Sequence, residues 1–452
     1  MSYYTRFSAC ASLGAVAMHV RQKRIWKVVE RRVDIQQKVI KHRPIDKLKD
    51  CFITILCGGQ RLVEVNTRLR PDVALQRAFG RKRCADQSTV SDTVNACTAE
   101  NVLQMRAALQ DIYRTHSQGY AHDYQRDWQI LDVDMSGMPA GRQGEGVEKG
   151  YFAGHKNQRG RQLGRVVASR YDEIVVEYLY PGKTQLEKSL QPLVLGAEEV
   201  LALDQARRQQ TIIRSDGGGG RDEDVNWLLE RGYLVMLKTK NWKRASKLAK
   251  SVKEWHLDPK TQDREVGWVE EPHLYSRPTR QLAIRMRVKD KWQYRVLVFN
   301  LSDERLFWLV GRPVPHQSAT TDVLFAALHS YDLRGGGVET SLRGSKQGVG
   351  LTKRNKRRFE AQEMLVLLAQ LAYNLLTWIH DELARQAPKL ASLGKLRLVR
   401  DLFHIPGQIR LDAQERVLEI TLAHTHPLAA PLVKVLSSTL AQDDMMLNLG
   451  QI

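Results

Sequence analysis

The hydrophobic pattern changes period near residue 126. Before it, RQKRIWKVVERRVDIQQKVI (21–40) repeats apolar residues at helical spacing, with Lys and Arg on the outer face. QSTVSDTVNACTAENVLQMRAALQDIYRT (87–115) holds two helix starts with Ser or Thr caps and Glu100 in a first turn. After it, DWQILDVDMSG is a short apolar run ending in turn residues, which predicts a strand. GRVVAS and EIVVEYLY, joined by Arg-Tyr-Asp, predict a hairpin. TQLEKSLQPLVLGAEEVLALDQARR (184–208) predicts a long amphipathic helix. A strand TIIRSD, a helix DEDVNWLLERG stopped by Gly232, and a strand YLVMLKTK follow.

Three successive strands, then alternating helix and strand, is the element order of a ribonuclease-H-like α/β domain. From 241 to 312 the pattern is β-rich, with a hairpin over RQLAIRMRVKDKWQYRVLVF, and reads as an insertion. Residues 313–395 return to helix. MLVLLAQLAYNLLTWIH (364–380) is interrupted by Gln370 and Asn374 and is shorter than the ~20 residues of a membrane span, so it predicts a buried core helix. The tail offers a hairpin over GQIRLDAQERVLEITLAH and an apolar helix near 427–441. The expected division is a basic helical, DNA-binding domain at 1–125, the first part of the α/β domain at 126–240, the insertion at 241–312, the helical second part at 313–395 and a C-terminal region at 396–452.

Charge narrows the function. The 452 residues carry a formal net charge of +20, which attracts polyanions, with nucleic acid ahead of an anionic membrane surface. Five cysteines (Cys10, Cys51, Cys57, Cys84, Cys97) form no Cys-x-x-Cys pair, which indicates reduced thiols rather than a zinc site or disulfide framework. ACASLGAVAMHV (9–20) is short and followed by the basic RQKRIWK, a poor signal peptide. A cytoplasmic protein with no membrane partner is expected.

RSDGGGGRDED (214–224) holds the first candidate chemistry. It lacks the Lys-Ser/Thr of a phosphate-binding loop, and three acids at the following helix start would repel a triphosphate. GGGG also offers no calcium ligands. What remains is Asp216, at the C-terminal end of a buried strand where open α/β sheets place ligands. Asp132 and Asp134, two apart in LDVDMSG, share one face of their strand. Acids from neighbouring strands suit magnesium, and two ions roughly 3.5–4 Å apart would align the attacking and leaving oxygens of a phosphodiester. A third acid, Glu339, shares a helical face with Arg343 and Lys346.

These blocks together resemble the insertion-sequence DDE transposases of bacteria, in the group with a Tyr-Arg-Glu-Lys signature. Tyr331-x-x-Arg334 fits, as do Glu339 and Lys346 with six residues between; Arg334 to Glu339 has one residue more than the pattern, within GGG. The resemblance spans about 126–380. It implies magnesium-dependent cutting at element ends and joining to target DNA, with Asp134, Asp216 and Glu339 as ligands of two Mg2+ ions (Mn2+ a substitute). Tyr331, Arg334 and Lys346 would contact end DNA. Asp132 is the rival first ligand; Asp134 is preferred as nearer the strand end. Partners would be the terminal inverted repeats and target DNA, engaged by a homodimer at the bacterial nucleoid. The competing reading is a catalytically silent DNA-binding repressor of the same descent. KTKNWKRASKLAK (238–250) and LTKRNKRR (351–358) would track the DNA backbone. Trp242, Trp255, Trp268 and Trp292 are available for stacking on a base, though core packing is the expected role of each.

Overall fold

The structure is a computed structural model describing residues 3–38, 41–150, 152, 155, 157–289, 291–316, 319–442 and 444–452. It divides into two compact units, one of Met1–Ser117, Pro139–Val147 and Leu342–Ile452, the other of Gln118–Met138 and Glu148–Ser341.

The second unit is built on one mixed sheet. Its central five strands run in the order Glu173–Pro181, Arg159–Ala168, Gln129–Pro139, Thr211–Ser215, Leu234–Lys238. The first two form the expected antiparallel hairpin, and the last three are parallel neighbours. This 3-2-1-4-5 order, with Leu186–Leu201 and Asp222–Glu230 as helical crossovers, is the ribonuclease-H-like arrangement. The β-rich segment continues the same sheet: Lys291–Phe299 pairs with Leu234–Lys238, followed by Arg280–Val288, Arg264–Trp268 and His256–Leu257. Asp290, within that hairpin, lies outside the described residues. Leu234, Met236, Leu297, Phe299, Leu324 and Leu328 form the core between this part of the sheet and the Thr320–Asp332 helix.

The other unit is mainly helical. Helix Phe359–Gln386 is its longest, and 364–377 is buried along its whole circumference. No helix among the described residues is long and apolar enough to cross a membrane. Asp86, not a serine, caps helix Gln87–Ala96 by accepting from the Thr89 amide at 3.1 Å, whereas Thr98 caps Ala99–His116 as expected. The helix expected over 21–40 is shorter, Ile25–Arg32; 33–38 are not helical, and Val39 and Ile40 lie outside the described residues. The chain opens with a strand, Tyr3–Ser8, where no strand was expected. It pairs with Gly407–Asp412 in a four-stranded sheet completed by Val417–Ala423 and Met446–Gly450. All five cysteines are buried free thiols.

Candidate active site

The parallel pairing of Gln129–Pro139 with Thr211–Ser215 sets the site. Asp132 stands opposite Arg214 and Val133 opposite Ser215. Asp134 and Asp216 follow directly on that last pair; Asp216 stands just past the end of its strand, whereas Asp134 lies inside Gln129–Pro139, which runs on beyond it, so the expected place near a strand end holds for Asp216 alone.

Asp132 and Asp134 have separate fates. Asp132 is fully buried and held by Arg214, with Nε at 2.6 Å and a terminal nitrogen at 2.9 Å; the Ser169 hydroxyl also donates to it. Arg214 donates as well to the Ser330 carbonyl, 2.9 Å away. Every side of this carboxylate is taken. Gly337 lies so close that a Cβ there would stand 2.2 Å from Asp132 Oδ2 and 2.7 Å from Ser169 Oγ. The residue type is fixed by this close approach.

Asp134 is mostly buried but reaches the surface, and its Oδ1 accepts from the Met135 amide at 2.8 Å. Burial pushes its carboxyl up to about 6; Arg334 opposes the rise and the neighbouring Asp216 adds to it. Asp216 is exposed and accepts from the Gly218 amide at 2.9 Å, capping the turn Gly217–Gly219. The glycines after it are required by close packing: a Cβ at Gly220 would lie 1.8 Å from the Lys238 carbonyl and one at Gly219 2.5 Å from Ser215 Oγ, while only one at Gly218 would approach Asp216, 3.0 Å from its Oδ1. The acids after them serve the helix end. Asp222 pairs with Arg244 and His273, and the buried Asp224 takes Arg221.

Glu339 lies in the first turn of helix Val338–Gly348 and is exposed. Arg334 connects it to the pair, with one terminal nitrogen 2.8 Å from Asp134 Oδ2 and the other 3.3 Å from Glu339 Oε1. The guanidinium is buried, donates also to the Val133 carbonyl at 3.3 Å, and keeps its Nε without a partner. Burial alone would lower its pKa, but Asp134, Tyr331 and the other acids outweigh it and keep the group charged. Tyr331 is also buried. Its hydroxyl donates to the Ser215 carbonyl at 3.2 Å, and the Lys238 ammonium stands 4.4 Å from its ring centroid. The Thr320–Asp332 helix that carries Tyr331 is tied to the β-rich strands by Arg264, which bridges Asp258 and Asp332, and by His329, 2.9 Å from Asp258. Lys346 lies in the last turn of Val338–Gly348 and falls within the other unit.

The donor set is oxygen only, which fits a hard divalent cation, and the Asp134–Asp216 pair needs positive charge that Arg334 supplies here. Among the described residues, no three His, Cys, Asp or Glu groups gather closely enough to hold one ion together. Glu339 is drawn towards Arg334.

A family model described as the transposase DDE domain, group 1, matches residues 15–443. The chain belongs to this family. Divalent metal ions are the cofactor class of DDE transposases. The comparison with curated proteins gives no match. Among solved structures, the chain is similar to piggyBac transposase in a synaptic complex with hairpin DNA, at 9% identity, 81% coverage of this chain, 73% of that chain and a TM-score of 0.46.

Sequence reasoning missed Arg214, Ser169 and Gly337. An arginine inside an apolar strand two residues before Asp216 was the available signal, because a buried guanidinium requires an acid. Most cations of the two basic stretches are exposed, Lys240, Lys243, Lys247, Lys250, Lys353 and Arg357 among them, but three turn inward. Lys238 is largely buried on Tyr331, Arg354 donates to the Gly59 carbonyl from full burial, and Lys356 is bonded to Ser91. Core packing does not hold for every tryptophan: Trp242 is 65% exposed and Trp292 38%. Trp255 and Trp292 instead flank the Arg285 guanidinium, at 4.3 and 4.6 Å.

Proposed function

We propose that the chain is an active DDE transposase that cuts DNA at the ends of an insertion sequence and joins those ends to target DNA. The observation that carries this reading is the closeness of Asp134 and Asp216, which directly follow the last paired residues of adjacent parallel strands, with Glu339 linked to Asp134 through Arg334. Asp134, Asp216 and Glu339 would hold two Mg2+ ions, with Mn2+ as a substitute. Bound there, the ions would supply charge for the developing oxyanions of an in-line displacement at phosphorus.

The chain's own groups prepare that step. Burial raises the cost of an ionised Asp134, so the pair favours an incoming cation. Arg334 balances the acids beforehand, and its second role would be a contact to the DNA phosphate brought between them. Tyr331 holds the Ser215 carbonyl next to Asp216 and so fixes the end of that strand. Asp132 is a positioning residue, because Arg214, Ser169 and Gly337 occupy its surroundings. Lys346 would contact end DNA. Element terminal repeats and target DNA are the proposed substrates, and one copy per end makes a homodimer the working assembly.

The test is a strand-cleavage and joining assay on element-end DNA with Mg2+, comparing wild type with Asp216→Asn. Nicked and joined products from wild type alone are expected. Equal products from both would remove Asp216 from the site, and none from either would favour the silent DNA-binding repressor.

A further inference from the structure

The mainly helical unit contains a cavity that this reading does not use. It encloses about 370 Å³ between helix Ala11–Gln22, the start of Ile25–Arg32, helix Pro44–Leu56 and the Phe79–Gly80 turn. That volume falls in the range of small-molecule sites and suits one nucleotide. One wall is apolar and aromatic. Trp26 and Phe52 are stacked with ring centroids 5.3 Å apart, and Phe79 and Ile25 adjoin them. The rest is cationic, with Arg21, Arg24, Lys27 and Lys49 set against a single acid, Glu30.

Two polar groups there make no hydrogen bond or ion pair among the described residues, although Glu30 attracts the Lys49 ammonium from within the cavity. The Trp26 indole N–H is buried without an acceptor, and buried donors in folded proteins are otherwise almost always satisfied. Among the described residues no carboxylate forms an ion pair with Lys49, although burial depresses its ammonium to about 8. An ammonium and an unused N–H donor lining one cavity with an aromatic wall select an anion that carries a flat apolar body. The backbone brings Arg24 to this rim at a local cost, since Arg24 adopts a left-handed conformation with φ of 53°.

We propose that this cavity is a nucleotide-binding site, with Lys49 and the rim cations on the phosphate and the base against the Trp26–Phe52 wall. The phosphorylated nucleoside has two possible sources, a free nucleotide or the terminal nucleotide of single-stranded DNA. The site lies wholly in one unit and contains none of the proposed metal ligands, so its test is independent of cleavage.

The experiment is calorimetric titration of the full chain, without divalent metal, with AMP, adenosine, inorganic phosphate and a 5′-phosphorylated deoxyadenosine dinucleotide. AMP or the dinucleotide binds at least ~10-fold more tightly than adenosine or phosphate, because both halves of the site contribute. Tightest binding of AMP assigns the free nucleotide; tightest binding of the dinucleotide assigns a DNA end. Lys49→Gln weakens that binding ~10-fold or more, a charged hydrogen bond's worth. Lys27→Gln, at an exposed rim position, weakens it less and leaves thermal unfolding unchanged. Trp26→Phe keeps the aromatic wall and loses only the N–H donor, so it weakens binding while AMP still binds more tightly than inorganic phosphate. Inorganic phosphate binding as tightly as AMP, no binding of any probe, or binding indifferent to all three substitutions overturns the proposal.

Discussion

Gly337→Ala tests how the third acid is positioned. The added Cβ would meet Asp132 Oδ2 at 2.2 Å, and Asp132 cannot retreat because Arg214 grips both of its oxygens, at 2.6 and 2.9 Å. The Leu333–Gly336 turn has to move instead. Opening the contact to the 3.0 Å that real Cβ atoms respect displaces the chain by about 1 Å, two residues before Glu339. Overpacking of this kind costs about 1–3 kcal/mol of stability, and a 1 Å misplacement of a reacting group costs about 100-fold in rate. Gly336→Ala is the matched control, because a Cβ there has nothing within 4 Å. Single-turnover cleavage of element-end DNA in Mg2+, measured beside urea unfolding, reads both effects. Gly337→Ala falls about 100-fold in cleavage while Gly336→Ala stays near wild type. Equal rates in the two variants would refute the argument that Asp132 sets the place of the third acid.

Three further outcomes follow from the same geometry. Burial pushes the Asp134 carboxyl up to about 6, above its unfolded value, so its own contribution to metal-free stability is full below pH about 4 and is lost as pH rises through about 6. Asp134→Asn, unfolded by urea in chelator, is therefore more stable than wild type at pH 8 by up to about 3 kcal/mol and nearly equal at pH 4; a destabilised variant at pH 8 counts against it. Arg214→Met strands the buried Asp132 carboxylate and lowers unfolding free energy by about 3–5 kcal/mol, while adding Asp132→Asn recovers part of the loss. Asp258→Asn breaks the links to His329 and Arg264 that hold the Tyr331 helix, so cleavage falls while affinity for end DNA, read by gel shift, stays within about threefold.

Much of the α/β unit is legible in the sequence because its elements announce themselves locally. GRVVAS and EIVVEYLY are continuous apolar runs joined by turn residues, and both became neighbouring strands. Asp134 and Asp216 are legible for a similar reason, since each follows a buried apolar run, although Asp134 lies within its strand and only Asp216 comes past the end of one. The network around Asp132 is not. It depends on the register between 129–139 and 211–215, and no local pattern states that Arg214 faces Asp132 or that Gly337 closes over Asp132 and Ser169. YYTRFS was overlooked because a short edge strand with mostly exposed residues carries little apolar alternation. Three residues of the basic stretches mislead in the opposite direction. Lys238, Arg354 and Lys356 look like a surface charge run, but carbonyls, a hydroxyl and an aromatic ring take them inward.

The central claim is that Asp134 and Asp216 hold a divalent cation together, and metal-specificity rescue tests it most directly. Asp216 is exposed at its strand end, so Asp216→Cys leaves the fold in place while replacing a hard oxygen donor with a soft sulfur. The account predicts cleavage of element-end DNA by this variant at less than ~1% of wild type in Mg2+, with substantial recovery in Mn2+ or Cd2+. Wild-type activity of the variant in Mg2+, or a folded variant that no thiophilic metal restores, would contradict it.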